Sequence, residues 1–400
     1  MTRPFDPTKA VILSGGGAYG AYEVGVMKAL FTGESPSTNY DYLNPGIFVG
    51  TSVGAFAAAF LVSRDLEDIC SSINLLESVW LEQVAENARS CGNGVYRIRA
   101  DPSNYFDPDC LAANPLTPFD HATQDASFFA RDVFRKTINF FMSGGTLTDR
   151  ILELVDVSAF ISTKPLQKLV DTAIDLEAIG RSEKVLRVVA TNWDQGTVRV
   201  FENKDMTVEL AYDILRGSAA IPGIFHPVSI GSDRYVDGGV LMNTPLKCAI
   251  QAGGTTLHVI YMDPDPKNIP IRALASTINT LDRVMLITSA ARVDQDIETA
   301  AWINAGLEVI EGLTGAGAGA VSDTDLRDFI RVAGKIHERL AAGLPYKKLT
   351  IHRYHPHDDL GGGSLALLDF ARDQVESLIK RGFTDAVNHD CSASHCVLPA

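Results

Sequence analysis

Strand-like and helix-like segments alternate along most of this chain of 400 residues. Apolar runs at residues 9–14, 46–50, 184–191 and 256–262 predict strands, and segments with helical periodicity follow several of them. Such alternation favours parallel strands joined by crossover helices. We therefore expect an α/β fold with a mostly parallel central sheet that is covered by helices on both faces.

Composition and charge exclude several classes of protein. The net charge is −14 and 46% of the residues are hydrophobic, so the chain can bury a large core but has no basic stripe for nucleic acid. The first ten residues lack the apolar core of a signal peptide. The uncharged stretch at residues 46–62 is interrupted by glycines and polar residues, which argues against a membrane span. We expect a soluble, cytoplasmic protein, with export by a route without a cleaved leader left open.

The cysteines and histidines do not predict a metal site. The six cysteines form no C-x-x-C pair, although Cys391 and Cys396 are close enough in sequence to leave a disulfide open. Three histidines near Asp358 and Asp359 have a spacing compatible with metal, but a polar loop is the better interpretation. These histidines are His352, His355 and His357.

A first glycine motif follows the first predicted strand. Gly15, Gly17 and Gly20 have the spacing G-x-G-x-x-G, which in this position is typical of dinucleotide binding. That function needs an acidic residue about 20 positions later, at the end of the second strand. Asp41 precedes that strand instead. A dinucleotide-binding oxidoreductase that uses this loop is therefore one alternative.

A second motif follows the second predicted strand. Gly50, Ser52 and Gly54 form G-x-S-x-G between an apolar strand and a helix, the setting of a nucleophilic serine on a sharp turn. A serine that attacks an acyl carbonyl needs preorganised amide donors for the resulting oxyanion. The consecutive Gly15, Gly16 and Gly17 can supply such donors, because no Cβ blocks the substrate.

A nucleophilic serine also needs a base. None of the nine histidines stands in a context that compels this role, although His226 is the best placed of them. Asp237 ends a short predicted strand and is followed by Gly238 and Gly239, which allow close approach to its carboxylate. An Asp-Gly turn without chemistry is the simpler interpretation of this segment when it is taken alone.

The three elements in this order resemble the patatin-like phospholipase family. They are Gly15 to Gly20, Gly50 to Gly54, and Asp237 to Gly239. The resemblance extends over residues 9–252 and implies a three-layer α/β/α fold. It also implies a Ser–Asp dyad without histidine, in which Ser52 is the nucleophile and Asp237 the base. Gly15, Gly16 and Gly17 would then form the oxyanion hole, supported by Gly20, Gly50, Gly54, Gly238 and Gly239.

The resemblance also implies a function and a domain plan. We expect a serine lipid acyl hydrolase that cleaves phospholipids or other acyl esters, with no cofactor, no metal and no nucleic acid partner. Transient contact with a membrane surface fits such a substrate, and the need for a protein activator stays open. A single domain would cover residues 1–383, followed by a loose tail at 384–400. A non-catalytic lipid-binding protein on the same fold is a further alternative.

Some positions depart from the family's pattern. A basic residue often follows the family's oxyanion glycines, but Ala18 and Tyr19 stand there, which weakens any prediction of phosphate headgroup binding. His226 falls where an apolar residue is expected, so an auxiliary role is open. Residues 91–149 are rich in proline and predict an insertion or lid with few periodic runs. Its aromatic residues could line an acyl channel or face lipid, but core packing is their commoner role. They include Tyr105, Phe106, Phe119, Phe128, Phe129, Phe140 and Phe141.

Overall fold

Ten strands and twelve α-helices are assigned in the described part of the chain. The structure is a computed structural model that describes residues 4–64, 68–87, 91–99, 101, 106, 108–142, 160–262, 277–315, 331, 347–358, 360 and 366–399. The strands are β1 (Asp6–Leu13), β2 (Pro45–Thr51), β3 (Arg97–Ile98), β4 (Ile161–Ser162), β5 (Val185–Asn192), β6 (Thr197–Glu202), β7 (Val228–Ile230), β8 (Asp233–Asp237), β9 (Thr256–Ile260) and β10 (Thr350–Tyr354). The helices are α1 (Gly20–Thr32), α2 (Val53–Val62), α3 (Ile69–Val79), α4 (Pro108–Ala113), α5 (Thr117–Met142), α6 (Lys164–Ala173), α7 (Leu176–Arg181), α8 (Ala211–Ser218), α9 (Gly239–Met242), α10 (Leu246–Gln251), α11 (Thr277–Gly315) and α12 (Arg372–Val387).

The main sheet has eight strands and is mostly parallel, as the alternation of segments predicts. Its order is β10-β9-β1-β2-β5-β8-β7, and β6 pairs with β5 outside this path. The five strands from β10 to β5 are parallel, whereas β6, β7 and β8 pair in antiparallel fashion. The carboxyl ends of the parallel strands therefore meet at one edge of the sheet, where ligand sites of α/β proteins usually lie.

Helices cover both faces of this sheet. Along β1, Val11 and Leu13 belong to one hydrophobic cluster with α1, α2 and α12, while Ala10 and Ile12 belong to a second cluster with α10 and α11. Successive side chains of a strand point to opposite faces, so an unbroken apolar run is what a doubly covered strand requires. The α/β fold with a covered central sheet is confirmed.

Two strands share one edge of β5, and this decides where the site forms. β2 ends with Thr51 opposite Val189, and β8 ends with Asp237 opposite Ala190. Both lie on the same edge, because β6 occupies the other edge of β5. β2 runs parallel to β5 and β8 runs antiparallel to it, so their carboxyl ends meet. Ser52, which follows β2, therefore comes close to Asp237.

The segment predicted as an insertion is more regular than its sequence pattern suggests. It contains α4 and the long helix α5, and a disulfide joins Cys91 to Cys110. Arg97 and Asp125 form a buried ion pair with two hydrogen bonds of 2.8 and 2.6 Å. The sequence pattern failed here because Pro108 starts α4 and Pro118 is the second residue of α5, positions where proline is tolerated. Whether this segment is a lid stays a prediction.

The carboxyl-terminal segment also differs from expectation. The sequence predicts a loose tail from residue 384, but α12 continues to Val387, and the segment after it returns to β10. There Ile351 and Val397 exchange two backbone hydrogen bonds of 2.8 and 2.9 Å. The sequence also predicts a helix at residues 323–342, and this range lies outside the described residues except for residue 331. In the described ranges, we find no helix that combines the length and the apolar character needed to cross a membrane.

Candidate active site

Ser52 lies on a sharp turn between β2 and α2. Its backbone has φ 55° and ψ −124°, a conformation that costs a residue with a side chain free energy and occurs mainly at functional sites. The turn is crowded, since a Cβ on Gly54 would lie 2.7 Å from the Leu13 Cβ, and a Cβ on Gly50 would collide with the Gly54 carbonyl oxygen. The two motif glycines are thus required by close backbone packing around Ser52.

Ser218 fixes the backbone of this turn and was not predicted as a site residue. Its Oγ accepts a hydrogen bond of 2.9 Å from the Ser52 amide and donates one of 2.6 Å to the Val189 carbonyl oxygen. The Ser52 amide is therefore not available to an oxyanion. The only signal for Ser218 in the sequence is its place in the segment Gly217 to Pro222. This segment resembles the one that precedes the aspartate strand in the patatin-like phospholipase family.

The glycine loop lies directly against the serine turn. A Cβ on Gly15 would lie 3.0 Å from the Ser52 Cβ, and a Cβ on Gly16 would lie 2.8 Å from the Met262 sulfur. Gly17 has φ 57°, and a Cβ there would collide with the Leu367 carbonyl oxygen. Among the described residues, the amides of Gly16 and Gly17 have no hydrogen-bond acceptor. They are free to bind an anion beside Ser52.

Asn243 holds this loop, and the sequence did not indicate it. Its Oδ1 accepts a hydrogen bond of 3.0 Å from the Gly15 amide, and its Nδ2 donates one of 3.2 Å to the Gly15 carbonyl oxygen. The predicted donor Gly15 is thus engaged with a side chain, unlike Gly16 and Gly17. Asn243 also packs against Gly239, where a Cβ would lie 2.9 Å from its Oδ1.

Asp237 is buried at the end of β8, with 4% of its surface exposed. Burial raises the pKa of its carboxyl group from 3.8 to about 6, and hydrogen bonding to the Gly239 amide and the Ser52 hydroxyl offsets part of that rise. The Gly239 amide donates to Oδ1 at 2.7 Å. A Cβ on Gly238 would lie 2.8 Å from the Thr51 Cγ2, so glycine is needed where the two strands meet.

An apolar cleft opens at Ser52. Its lining combines residues from α2, α6 and α8 with residues that follow α3 and residues that precede α12, and it includes Gly17 and Ser52. The apolar lining includes Phe56, Trp80, Leu166, Leu215, Phe225 and Phe370. His226, the best-placed histidine in the sequence, is exposed, while its neighbour Phe225 lines the cleft.

The other predicted positions are accounted for as follows. Gly20 starts α1, where a Cβ would lie 2.7 Å from the Val53 Cγ2, so it allows α1 and α2 to approach each other. Asp41 lies in the loop before β2, away from the position that a dinucleotide site requires. Cys391 and Cys396, for which a disulfide was left open, are free thiols.

One comparison with known proteins identifies a family. A family model described as patatin-like phospholipase matches residues 11–250, which include both glycine turns and Asp237. Comparison with curated protein sequences found no match. Among solved structures, the chain is similar to VipD from Legionella pneumophila, with 18% sequence identity and a TM-score of 0.32 over 94% of this chain and 67% of that one. Because the family model matches more than half of this chain, the chain belongs to the patatin-like phospholipase family.

Proposed function

We propose that the chain is a serine lipid acyl hydrolase in which Ser52 and Asp237 form the catalytic dyad. The observation that carries the proposal is the buried carboxylate beside a serine held on a strained turn. In the first step the Ser52 hydroxyl attacks the ester carbonyl carbon and its proton passes to Asp237. The alcohol then leaves with that proton, and an acyl-serine ester forms.

A water molecule completes the cycle. Asp237 takes a proton from the water as its oxygen attacks the acyl carbonyl carbon, and the fatty acid leaves while the proton returns to Ser52. A carboxylate is ordinarily a weak base for a hydroxyl group. The raised pKa of Asp237, about 6, brings it closer to the range in which a general base works at neutral pH.

The oxyanion formed in both steps needs amide donors. Gly16 and Gly17 are the predicted donors with free amides among the described residues, and the Val53 amide at the start of α2 follows the nucleophile, as in other serine hydrolases. The prediction for Gly15 requires its amide to leave Asn243. Loss of one oxyanion donor typically slows such reactions by about 100-fold to 1,000-fold.

The cleft supports a fatty acyl substrate. Its lining is apolar apart from Ser52, Thr163 and Arg216, which suits a hydrocarbon chain. Phospholipids and other acyl esters both fit this description.

Contact with a lipid surface is part of the proposal. Phe106, Leu116 and Phe119 are 76%, 79% and 73% exposed, and Ile98 and Phe160 are about half exposed. All five lie in or next to the predicted insertion. Exposed apolar side chains concentrated in one segment favour contact with lipid or protein.

A fluorophosphonate probe tests the dyad. We expect the purified protein to form one adduct at Ser52, located by mass spectrometry, and the Ser52→Ala variant to form none. Asp237→Asn should slow labelling strongly, because no base then accepts the hydroxyl proton. The Ser229→Ala variant is the control, since Ser229 is exposed on β7 and should leave labelling unchanged.

Two outcomes would contradict the proposal. Folded protein that is not labelled at Ser52, yet hydrolyses phospholipid in vesicles, would place the nucleophile elsewhere. Lipid binding without hydrolysis, unchanged by Ser52→Ala, would favour a lipid-binding protein on this fold.

A further inference from the structure

Four metal-binding side chains converge where the carboxyl-terminal segment meets the edge strand β10. One ligand atom from each lies within 4.8 Å of the ligand atoms of the other three. The residues are His352, His389, Cys391 and Cys396. His352 belongs to β10, and the other three belong to the segment after α12. We propose that this Cys2His2 cluster is a structural zinc site.

The spacing of the ligand atoms fits a tetrahedral zinc ion. The Cys391 sulfur lies 3.4 Å from the His352 Nδ1 and 3.5 Å from the His389 Nε2, and the Cys396 sulfur lies 3.4 Å from the His389 Nε2. With Zn–S bonds of about 2.3 Å and Zn–N bonds of about 2.0 Å, the sulfur and nitrogen corners of a tetrahedron lie about 3.5 Å apart. Two thiolates and two imidazoles are also a ligand set that selects zinc.

The surroundings orient these ligands. The Arg353 amide donates a hydrogen bond of 3.4 Å to the Cys396 sulfur, the kind of contact that stabilises a metal-bound thiolate. The His352 ring stacks on His258 with centroids 5.0 Å apart, and the His389 ring lies 4.6 Å from the Tyr354 ring. Both imidazoles are therefore held by packing before a metal binds.

The site would clip the chain terminus to the sheet. His352 lies next to Ile351, which exchanges backbone hydrogen bonds with Val397, one residue after Cys396. A zinc ion here would join β10, the edge strand of the sheet, to residues 389–396. Side chains would occupy all four coordination positions of the zinc ion, which is typical of a structural site and not of a catalytic one. The proposal is independent of the dyad.

The sequence alone does not predict this site. His389, Cys391 and Cys396 lack the C-x-x-C spacing of common zinc motifs, and the fourth ligand lies far upstream in a strand. Only the return of the chain to β10 brings them together. Cys391 and Cys396 also line a cleft beside α11, which gives a metal ion a path to the site.

Metal analysis of the full chain, purified with a reducing agent and supplied with zinc, tests the proposal. We expect about one zinc ion per chain by mass spectrometry of the metal. Cys391→Ser and Cys396→Ser should reduce the zinc content to near zero. Cys70→Ser is the matched control, since Cys70 is a free thiol outside the cluster, and it should keep the full content.

Cobalt gives a second readout that does not depend on a variant's folding. Replacing zinc by Co²⁺ in the unaltered chain should produce the visible absorption of tetrahedral cobalt and a sulfur-to-cobalt charge-transfer band.

His389→Cys, which keeps a ligand, should retain zinc, whereas His389→Ala should lose it. Reduced protein without zinc, zinc retained in both Cys391→Ser and Cys396→Ser, or a disulfide between these two cysteines in the purified chain would each overturn the proposal.

Discussion

Asp237 illustrates how burial prepares a single side chain for chemistry. Desolvation raises the pKa of this carboxyl group, and only two hydrogen bonds, from the Gly239 amide and the Ser52 hydroxyl, oppose that rise. No positive charge contributes to the pKa. The pKa therefore rises to about 6, and the carboxylate ionises in the range where the proposed base must work. The same burial makes the ionised form costly to the folded chain.

This cost predicts a pH-dependent stability. A carboxyl pKa that is 3.8 in the unfolded chain and about 6 in the folded one favours folding at low pH, and this advantage is lost as the pH rises through 6. Relative to Asp237→Asn, the wild type should lose about 3 kcal/mol of unfolding free energy between pH 3.5 and pH 7.5. Urea denaturation of both proteins measures this difference.

Activity should follow the opposite direction. Hydrolysis of a soluble ester should increase with pH with a midpoint near 6, because Asp237 acts as a base only when ionised. A stability difference between wild type and Asp237→Asn that does not change with pH would show that the carboxyl pKa is not raised.

Asn243 is a positioning residue for the glycine loop. Its side chain exchanges two hydrogen bonds with the Gly15 backbone, so Asn243→Ala should let the loop shift while the apolar cleft stays intact. We expect kcat for a soluble ester to fall about 10-fold to 100-fold with little change in KM, because small displacements of aligned groups cost rate more than binding. Steady-state kinetics gives both constants. An equal change in KM instead would assign Asn243 to substrate binding.

At the scale of elements, helices α1 and α12 pack closely through glycine. A Cβ on Gly382 of α12 would collide with the Tyr22 carbonyl oxygen, and one on Gly25 of α1 would collide with the Ile379 carbonyl oxygen. Because α1 begins at the glycine loop, this contact also holds the loop in place. Close helix packing thus connects the end of the chain with the candidate active site.

A pair of glycine variants tests this contact. Gly382→Ala should lower the unfolding free energy by about 1–3 kcal/mol, because a backbone oxygen cannot move away easily. Gly306→Ala, in helix α11 with nothing within 4 Å of its would-be Cβ, should instead raise it by up to about 1 kcal/mol. Chemical denaturation measures both. Stabilisation by both substitutions would mean that α1 and α12 are not in close contact.

At the scale of the whole molecule, the helical segment with exposed apolar residues lies on the polypeptide between β2 and β5, the two strands beside the candidate active site. The Cys91–Cys110 disulfide and the buried ion pair between Arg97 and Asp125 stabilise this segment internally. A segment that is fixed internally can keep apolar side chains exposed without collapsing on them. This arrangement supports a lipid-facing surface.

Variants of this surface test the lipid contact. Leu116→Glu and Phe119→Glu should reduce hydrolysis of phospholipid vesicles by at least about tenfold and leave hydrolysis of a soluble ester unchanged, because a buried charge opposes insertion into lipid. Trp302→Glu is the control, since Trp302 is 78% exposed on α11, outside this segment. Equal losses in all three variants would show that this segment has no special role.

The sequence by itself determined the features that depend on neighbouring residues. The turns at Gly15 to Gly20 and Gly50 to Gly54 could be recognised because backbone crowding demands glycine at fixed spacings, and the apolar runs predict strands covered on both faces. These signals were sufficient for the α/β fold and the family. They also indicate Ser52 and Asp237 as candidate catalytic residues, which stays a prediction.

Only the tertiary structure decided the features whose partners are distant in sequence. Three such features depend on the order of strands in the sheet. Ser218 accepts a hydrogen bond from the Ser52 amide, Asn243 holds the Gly15 backbone, and β2 meets β8 along one edge of β5. The clustering of two histidines and two cysteines depends on the return of the chain to β10. The spacing of residues in the sequence does not predict such contacts, because each depends on how the whole sheet packs.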